Sequence, residues 1–200
     1  MTVKLFLLGR PGCGKSSAAK HIIKYFHEQD AERLTARFKD FDILQDMFEN
    51  DTHGRFQPSL FGGFDVIDGK VLDEAMDKLN DRICRYMADA KTDTLILIEF
   101  AREDYIEALQ HFSSEVMQNV YFLFIDVNLD TCIYRVEQRM VRPETPDDHY
   151  ISEKVFRQFY VKQKFPENKD MVAKTRMINN QGSWYDFIKE VDNFMKEILK

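Results

Sequence analysis

The chain predicts an α/β fold: an open, mainly parallel sheet of about five strands with helices on both faces. Three features predict it. Short apolar runs alternate with longer amphipathic segments, the pattern of repeated strand–helix–strand units. Two of the runs, 94–98 and 120–127, are apolar apart from Thr94 and Asp126, as strands covered on both faces must largely be. A glycine-rich turn joins the first run to the first amphipathic segment.

Each element follows in chain order. Val3–Leu8 reads as the first strand. Residues 15–28 read as a helix, with Ala18, Ala19, Ile22, Ile23 and Phe26 on one face. Residues 34–38 form a weaker strand and 42–49 a helix. Residues 51–69, rich in Gly, Asp and Phe, read as a loop excursion. Residues 71–87 are a helix with Leu72, Ala75, Met76, Leu79 and Ile83 inward. Strands follow at 94–98 and 120–127, then a helix at 129–140 that buries Leu129, Cys132, Ile133, Val136 and Met140. Pro143 and Pro146 end that helix. A helix at 150–162, a last strand at 176–178 and a closing helix at 184–199 complete the order. The closing helix carries Trp184, Phe187, Ile188, Val191, Met195 and Ile198 on its apolar face.

Composition narrows the function. With 44% hydrophobic and 31% charged residues in 200, the chain can bury a core and does not read as disordered. A net charge of -6 gives no general attraction for nucleic acid or an anionic membrane. Any phosphate must therefore be held by a local cluster of donors. The apolar start ends at Gly9, too short for a signal segment or a membrane span. Cys13, Cys84 and Cys132 share no close spacing, so a zinc site is not expected, and their odd number points to reduced thiols in the cytoplasm. The five scattered histidines form no ligand pair.

Gly9-Arg10-Pro11-Gly12-Cys13-Gly14-Lys15-Ser16 matches G-x-x-x-x-G-K-[ST]. It lies between an apolar strand and an amphipathic helix, the context the motif requires. Glycines let the backbone curl until several N–H groups face one anion. The new helix adds its positive end. Lys15 can reach the outer phosphates, and the Ser16 hydroxyl, with Ser17 beside it, offers oxygen to magnesium. Cys13 reads as a space-filler, because phosphoryl transfer needs no nucleophilic thiol. The expected ligands are ATP and Mg2+.

The motif near the start of a short chain, arginines late in it, and a Gly-containing polar turn together resemble the nucleoside and nucleotide kinase group of P-loop proteins, with the adenylate-kinase-like fold. The resemblance implies a three-layer P-loop kinase fold over 1–200, with an acceptor-binding excursion at about 40–70 and a short lid at about 141–149. Deoxynucleoside kinases carry Glu-Arg-Ser at a strand end; here Glu99 and Arg102 are similar but wider apart by two residues. The resemblance implies that Glu99 positions magnesium or acts as base, and that Arg102 grips a phosphate. The chain departs from the pattern in lacking the usual Walker-B Asp. Arg135, Arg139 and Arg142 share one helix face. The resemblance makes Arg139 and Arg142 the residues that neutralise the transferring group. In Asn179-Asn180-Gln181-Gly182-Ser183 it places the adenine contact near Gly182, while Ser183 also reads as a helix cap.

The acceptor is a small molecule, and the residues leave its class open. Asp40-Phe41-Asp42 follows the second strand, where shikimate kinases have Asp-x-Asp and gluconate-type kinases a single Asp. An acid here suits an alcohol, whose proton must leave; Asp42 or Glu99 is the expected base. Either aspartate also fits as a helix cap. Arg55 with Phe56, Phe61 and Phe64 suits a flat base, or packs on the core. Asp65, Asp68 and Asp73 fit acceptor hydroxyls or caps. The leading reading is therefore a nucleoside or nucleotide kinase. A kinase of a small hydroxy metabolite and a regulatory ATPase are the alternatives, and a homodimer is left open.

Overall fold

The computed structural model describes residues 2–59, 63–89, 93–141, 149–165, 171 and 174–199. In chain order its elements are β1 (Val3–Leu8), α1 (Lys15–Gln29), β2 (Leu34–Lys39), α2 (Asp40–Glu49), β3 (Phe56–Pro58), β4 (Phe64–Val66), α3 (Lys70–Asp89), β5 (Thr94–Phe100), α4 (Tyr105–Leu109), α5 (Ser114–Met117), β6 (Val120–Asp126), α6 (Leu129–Val141), α7 (Glu153–Phe159), β7 (Thr175–Asn179) and α8 (Trp184–Ile198).

The main sheet has five strands in the order β2-β5-β1-β6-β7, every neighbouring pair parallel. β1 and β5 are buried along their whole length, which explains why they are apolar apart from Lys4, Thr94 and Glu99. Side chains alternate between two cores. Leu5, Leu7, Leu97, Leu123 and Ile125 face α1, α6, α7 and α8, where they meet Ala18, Ile22, Val136, Phe156 and Phe187. Phe6, Leu8, Ile98, Phe122 and Phe124 face α2, α3, α4 and α5, meeting Ile43, Met76, Leu79 and Tyr105. Each fully buried large aliphatic or aromatic side chain contributes ~1.5–3 kcal/mol, so both faces hold the sheet. The architecture is the three-layer α/β sandwich expected of the sequence.

Four local expectations change. Residues 51–69 contain an antiparallel hairpin, with Phe56 opposite Val66 and Gln57 opposite Asp65. The stretch after β5 holds two short helices, capped by Asp104 and Ser113. The helix expected over 150–162 shrinks to α7, because the Ser152 hydroxyl caps it by accepting from the Val155 N–H. Trp184, expected on a buried face, is 57% exposed. The proposed lid at 141–149 lies outside the described residues except for its two ends.

The topology positions the site. β1 sits between β5 and β6, and the chain leaves it first toward β2 and later crosses to β6. Ligands of open α/β sheets bind in the crevice beyond the carboxyl ends of strands at such a switch point.

Candidate active site

The turn after β1 opens that crevice. Gly9, Gly12 and Gly14 hold φ values of 136°, 78° and 110°, a region open to glycine at little cost. A Cβ at these positions would lie 2.5 Å from the Ile125 oxygen, 2.6 Å from the Cys132 oxygen and 2.6 Å from Asn180 Nδ2. The loop therefore cannot carry side chains there. Its shape is fixed from behind: the Gly9 N–H donates to the Tyr105 hydroxyl at 2.9 Å, and Asn180 Nδ2 donates to the Cys13 carbonyl at 2.8 Å. Cys13 is fully buried, and burial pushes its thiol pKa upward. Lys15 folds over the loop, its Nζ donating to the Gly9 and Arg10 carbonyls at 2.7 and 3.0 Å. An anion in the cradle would offer that ammonium a stronger partner than two neutral carbonyls.

Arg10 turns away. Its guanidinium donates to the carbonyls of Tyr160, Val127 and Val161 at 2.7, 3.0 and 3.0 Å. Of the motif residues expected to bind nucleotide, Arg10 contributes only backbone, and its side chain ties the loop to β6 and to the end of α7.

A cavity of about 540 Å³ runs over the cradle. Pro11, Gly12, Gly14, Lys15, Ser16 and Ser17 line its middle. One end is walled by Tyr134, Arg135, Gln138 and Arg139 of α6 with Asn180, Gly182 and Trp184. Arg135 donates to the Asn180 carbonyl at 2.8 Å, joining α6 to the turn after β7. Arg142 lies outside the described residues. The other end is walled by Asp40, Phe41, Phe64, Asp65, Arg102 and Tyr160 among others.

The acids differ from expectation. β2 runs to Lys39, so α2 starts at Asp40 and that carboxylate faces the cavity. Asp42, the expected base, instead pairs with Lys39 at 3.0 Å and does not line the cavity. Two residues along a helix turn through ~200°, so only one of the pair can face inward. Arg102, expected to grip a phosphate, is buried and already engaged. It donates to Asp40 Oδ2 at 2.5 Å, to the Ala101 carbonyl at 2.7 Å and to the Leu72 carbonyl at 3.0 Å. It acts on Asp40, holding it in one position. Tyr160 is partly buried beside this pair, and loss of water pushes its pKa up to about 12.

Glu99 is 3% exposed and lines the cavity. Arg37, on the neighbouring strand, donates through Nε to one oxygen and through Nη2 at 3.1 Å to the other. The fork engages both carboxylate oxygens, so the expected metal-holding role of Glu99 competes with Arg37. Among the described residues no group of three His, Cys, Asp or Glu could hold a metal ion. A magnesium ion would depend on the Ser16 hydroxyl and on phosphate oxygens, which suits a hard cation.

The excursion contributes unevenly. Phe64 joins the cavity wall, its ring parallel to Phe41 within 5° at 5.9 Å, and His149 stacks on Phe41 at 3.7 Å. Phe56 packs in the core, and Phe61 lies outside the described residues. Arg55 pairs with Asp51 and Glu74. Asp68 accepts from the Lys70 N–H at the start of α3. Asp73 lies 3.7 Å from His111. Of the three acids weighed, Asp65 alone lines the cavity. Tyr134, Lys39 and Tyr160 carry no sequence motif; only their elements' positions reveal them.

No family model matches the chain, and no curated protein sequence matches it. Solved structures do. The chain is similar to a gluconokinase from Sinorhizobium meliloti 1021 at 10% identity and TM-score 0.60, over 98% of this chain and 93% of that one. It is similar to the Mycobacterium tuberculosis APS kinase CysC, solved with AMPPNP and APS, at 15% identity and TM-score 0.57 over 98% of both chains. Chaetomium thermophilum Kti12, solved with ADP-AlF3, aligns at 12% identity and TM-score 0.63 over 98% of both chains. The chain has the P-loop kinase fold. No helix among the described residues is long and apolar enough to cross a membrane.

Proposed function

We propose that this protein is an ATP- and magnesium-dependent phosphotransferase that moves the γ-phosphate to a nucleoside or nucleotide. The observation that carries this is a single cavity joining the phosphate cradle to a compartment with an oriented carboxylate, Asp40. Its volume suits a small-molecule site. The likeness to structures solved with AMPPNP and with ADP-AlF3 supports nucleotide binding here.

In this reading the loop N–H groups and Lys15 hold the phosphates. Bound magnesium, on Ser16, supplies charge for the transferring group. Arg139 adds a cation from α6, at the wall of the same cavity. Arg102 holds Asp40 in position, and Asp40 accepts the proton of an attacking hydroxyl. Positioning and charge are what phosphoryl transfer asks of a protein.

A second reading keeps the mechanism and makes the acceptor a small hydroxy metabolite; the Asp40 carboxylate and the likeness to a gluconokinase favour it. The test is ATP consumption with magnesium against nucleosides, nucleoside monophosphates and hydroxy acids. One acceptor should stimulate turnover strongly. Lys15→Met should cut transfer by about a thousandfold or more while leaving the melting temperature within a few degrees. Slow hydrolysis that no acceptor stimulates, lost in the variant, would replace both readings with a regulatory ATPase.

A further inference from the structure

We infer that the acceptor is an unphosphorylated alcohol carrying a flat ring, a nucleoside rather than a nucleotide. This rests on the phosphotransferase reading and adds the class of its acceptor. Three observations carry it.

The first is charge. A phosphate-bearing acceptor needs guanidinium or ammonium donors at its anionic end. Among the described residues at the acceptor end of the cavity, the arginine and the lysine each hold an aspartate, and Arg102 Nε is buried without a partner. Arg102 holds Asp40 at 2.5 Å with two backbone carbonyls, and Lys39 holds Asp42 at 3.0 Å.

The second is Asp65. It sits on β4, opposite Gln57, and faces the cavity. Its Oδ2 accepts from the Ser152 hydroxyl at 3.4 Å, which links the hairpin to the cap of α7. Its Oδ1 is buried and has no hydrogen-bond partner among the described residues. A buried acceptor atom in a cavity wall calls for a donor. An alcohol O–H or a base N–H supplies one; an ionised phosphate supplies none and is repelled by the carboxylate. Hydroxy acids carry the same penalty, so Asp65 also argues against the second reading above.

The third is shape. Phe41 and Phe64 bring parallel rings to the same wall, one face of Phe41 being covered by His149, and Leu44, Val66 and Leu72 extend it. Flat apolar surface suits a ring better than an open polyol.

The transfer then balances with ATP as co-reactant. The acceptor oxygen bonds to the γ-phosphorus as its proton passes to Asp40. The bond from that phosphorus to the β,γ-bridging oxygen breaks, and its electron pair leaves with ADP.

The test uses the full chain and matched pairs: each nucleoside and its 5′-monophosphate, with one hydroxy acid as a third arm. Calorimetry measures acceptor binding beside a non-hydrolysable ATP analogue, and steady-state assays measure transfer. At least one nucleoside should bind at least about tenfold tighter than its 5′-monophosphate and than the hydroxy acid. Asp65→Asn, nearly isosteric, should raise the nucleoside KM about tenfold with kcat within about threefold, and narrow the gap to the monophosphate. Tighter binding of the monophosphate or of the hydroxy acid by wild-type protein overturns the inference, and so does an unchanged nucleoside KM in a folded Asp65→Asn variant. Selective nucleoside binding without transfer supports the acceptor class and removes the catalytic reading. No acceptor binding by any arm removes the inference, whatever the fate of ATP hydrolysis.

Discussion

The two ends of the reaction cavity are built by different means. Over the P-loop, backbone does the work: three glycines at positive φ, with one lysine folded over the loop. At the acceptor end, side chains do it: Asp40 from α2, Arg102 after β5, Asp65 from the hairpin, Tyr160 after α7. The first arrangement is local, spanning eight consecutive residues. The second joins residues as far apart as 40 and 160. A generic anion can be held by backbone alone, whereas choosing one acceptor requires side chains at particular places.

That contrast can be broken at its acceptor end with Asp40→Asn. It keeps the shape and removes the base, so kcat should fall by about 10²–10⁴ while nucleotide affinity changes little. Rapid-quench transfer assays beside nucleotide titration would measure both. A kcat within tenfold of wild type would move the base elsewhere.

Arg37→Ala tests the floor beneath both ends. It strands a carboxylate that is 3% exposed, and loss of one partner of a buried pair costs about 3–5 kcal/mol. Chemical denaturation should show that loss. Removing Glu99 as well, in Arg37→Met with Glu99→Gln, should restore much of it, because no unpaired charge remains buried.

Asp42→Asn should have the smallest effect. Asp42 is 44% exposed and pairs with Lys39, a surface contact worth about 0–1 kcal/mol. Activity within about twofold of wild type, in the same assay as Asp40→Asn, would sharpen the distinction between two acids two residues apart. Equal losses in both would return Asp42 to the site.

The phosphate end was legible because its chemistry and its spacing are one object. Gly9 to Ser16 must be adjacent to form the cradle, so the loop is visible as one motif in the sequence. The sheet was legible for a related reason: runs such as 95–98 and 120–125 are apolar throughout because both faces are covered. The acceptor end was not legible. Asp40 and Asp42 look alike in sequence, and either fits a base or a cap. The choice depends on β2 ending at Lys39, a boundary set by its register beside β5, where Lys39 meets Glu99.

What the sequence by itself determined is the layered α/β fold, the glycine-rich loop after β1 and the helices that flank it, because those follow from patterns within one or two turns or strands. What only the tertiary structure decided is the fate of each charged side chain. Arg10 clamps three carbonyls, Arg102 holds Asp40, Arg37 engages Glu99, and Asp65, in the cavity wall, keeps a buried oxygen with no partner among the described residues. A charge's role depends on its partner and its burial, and here most of those partners lie far away in the chain.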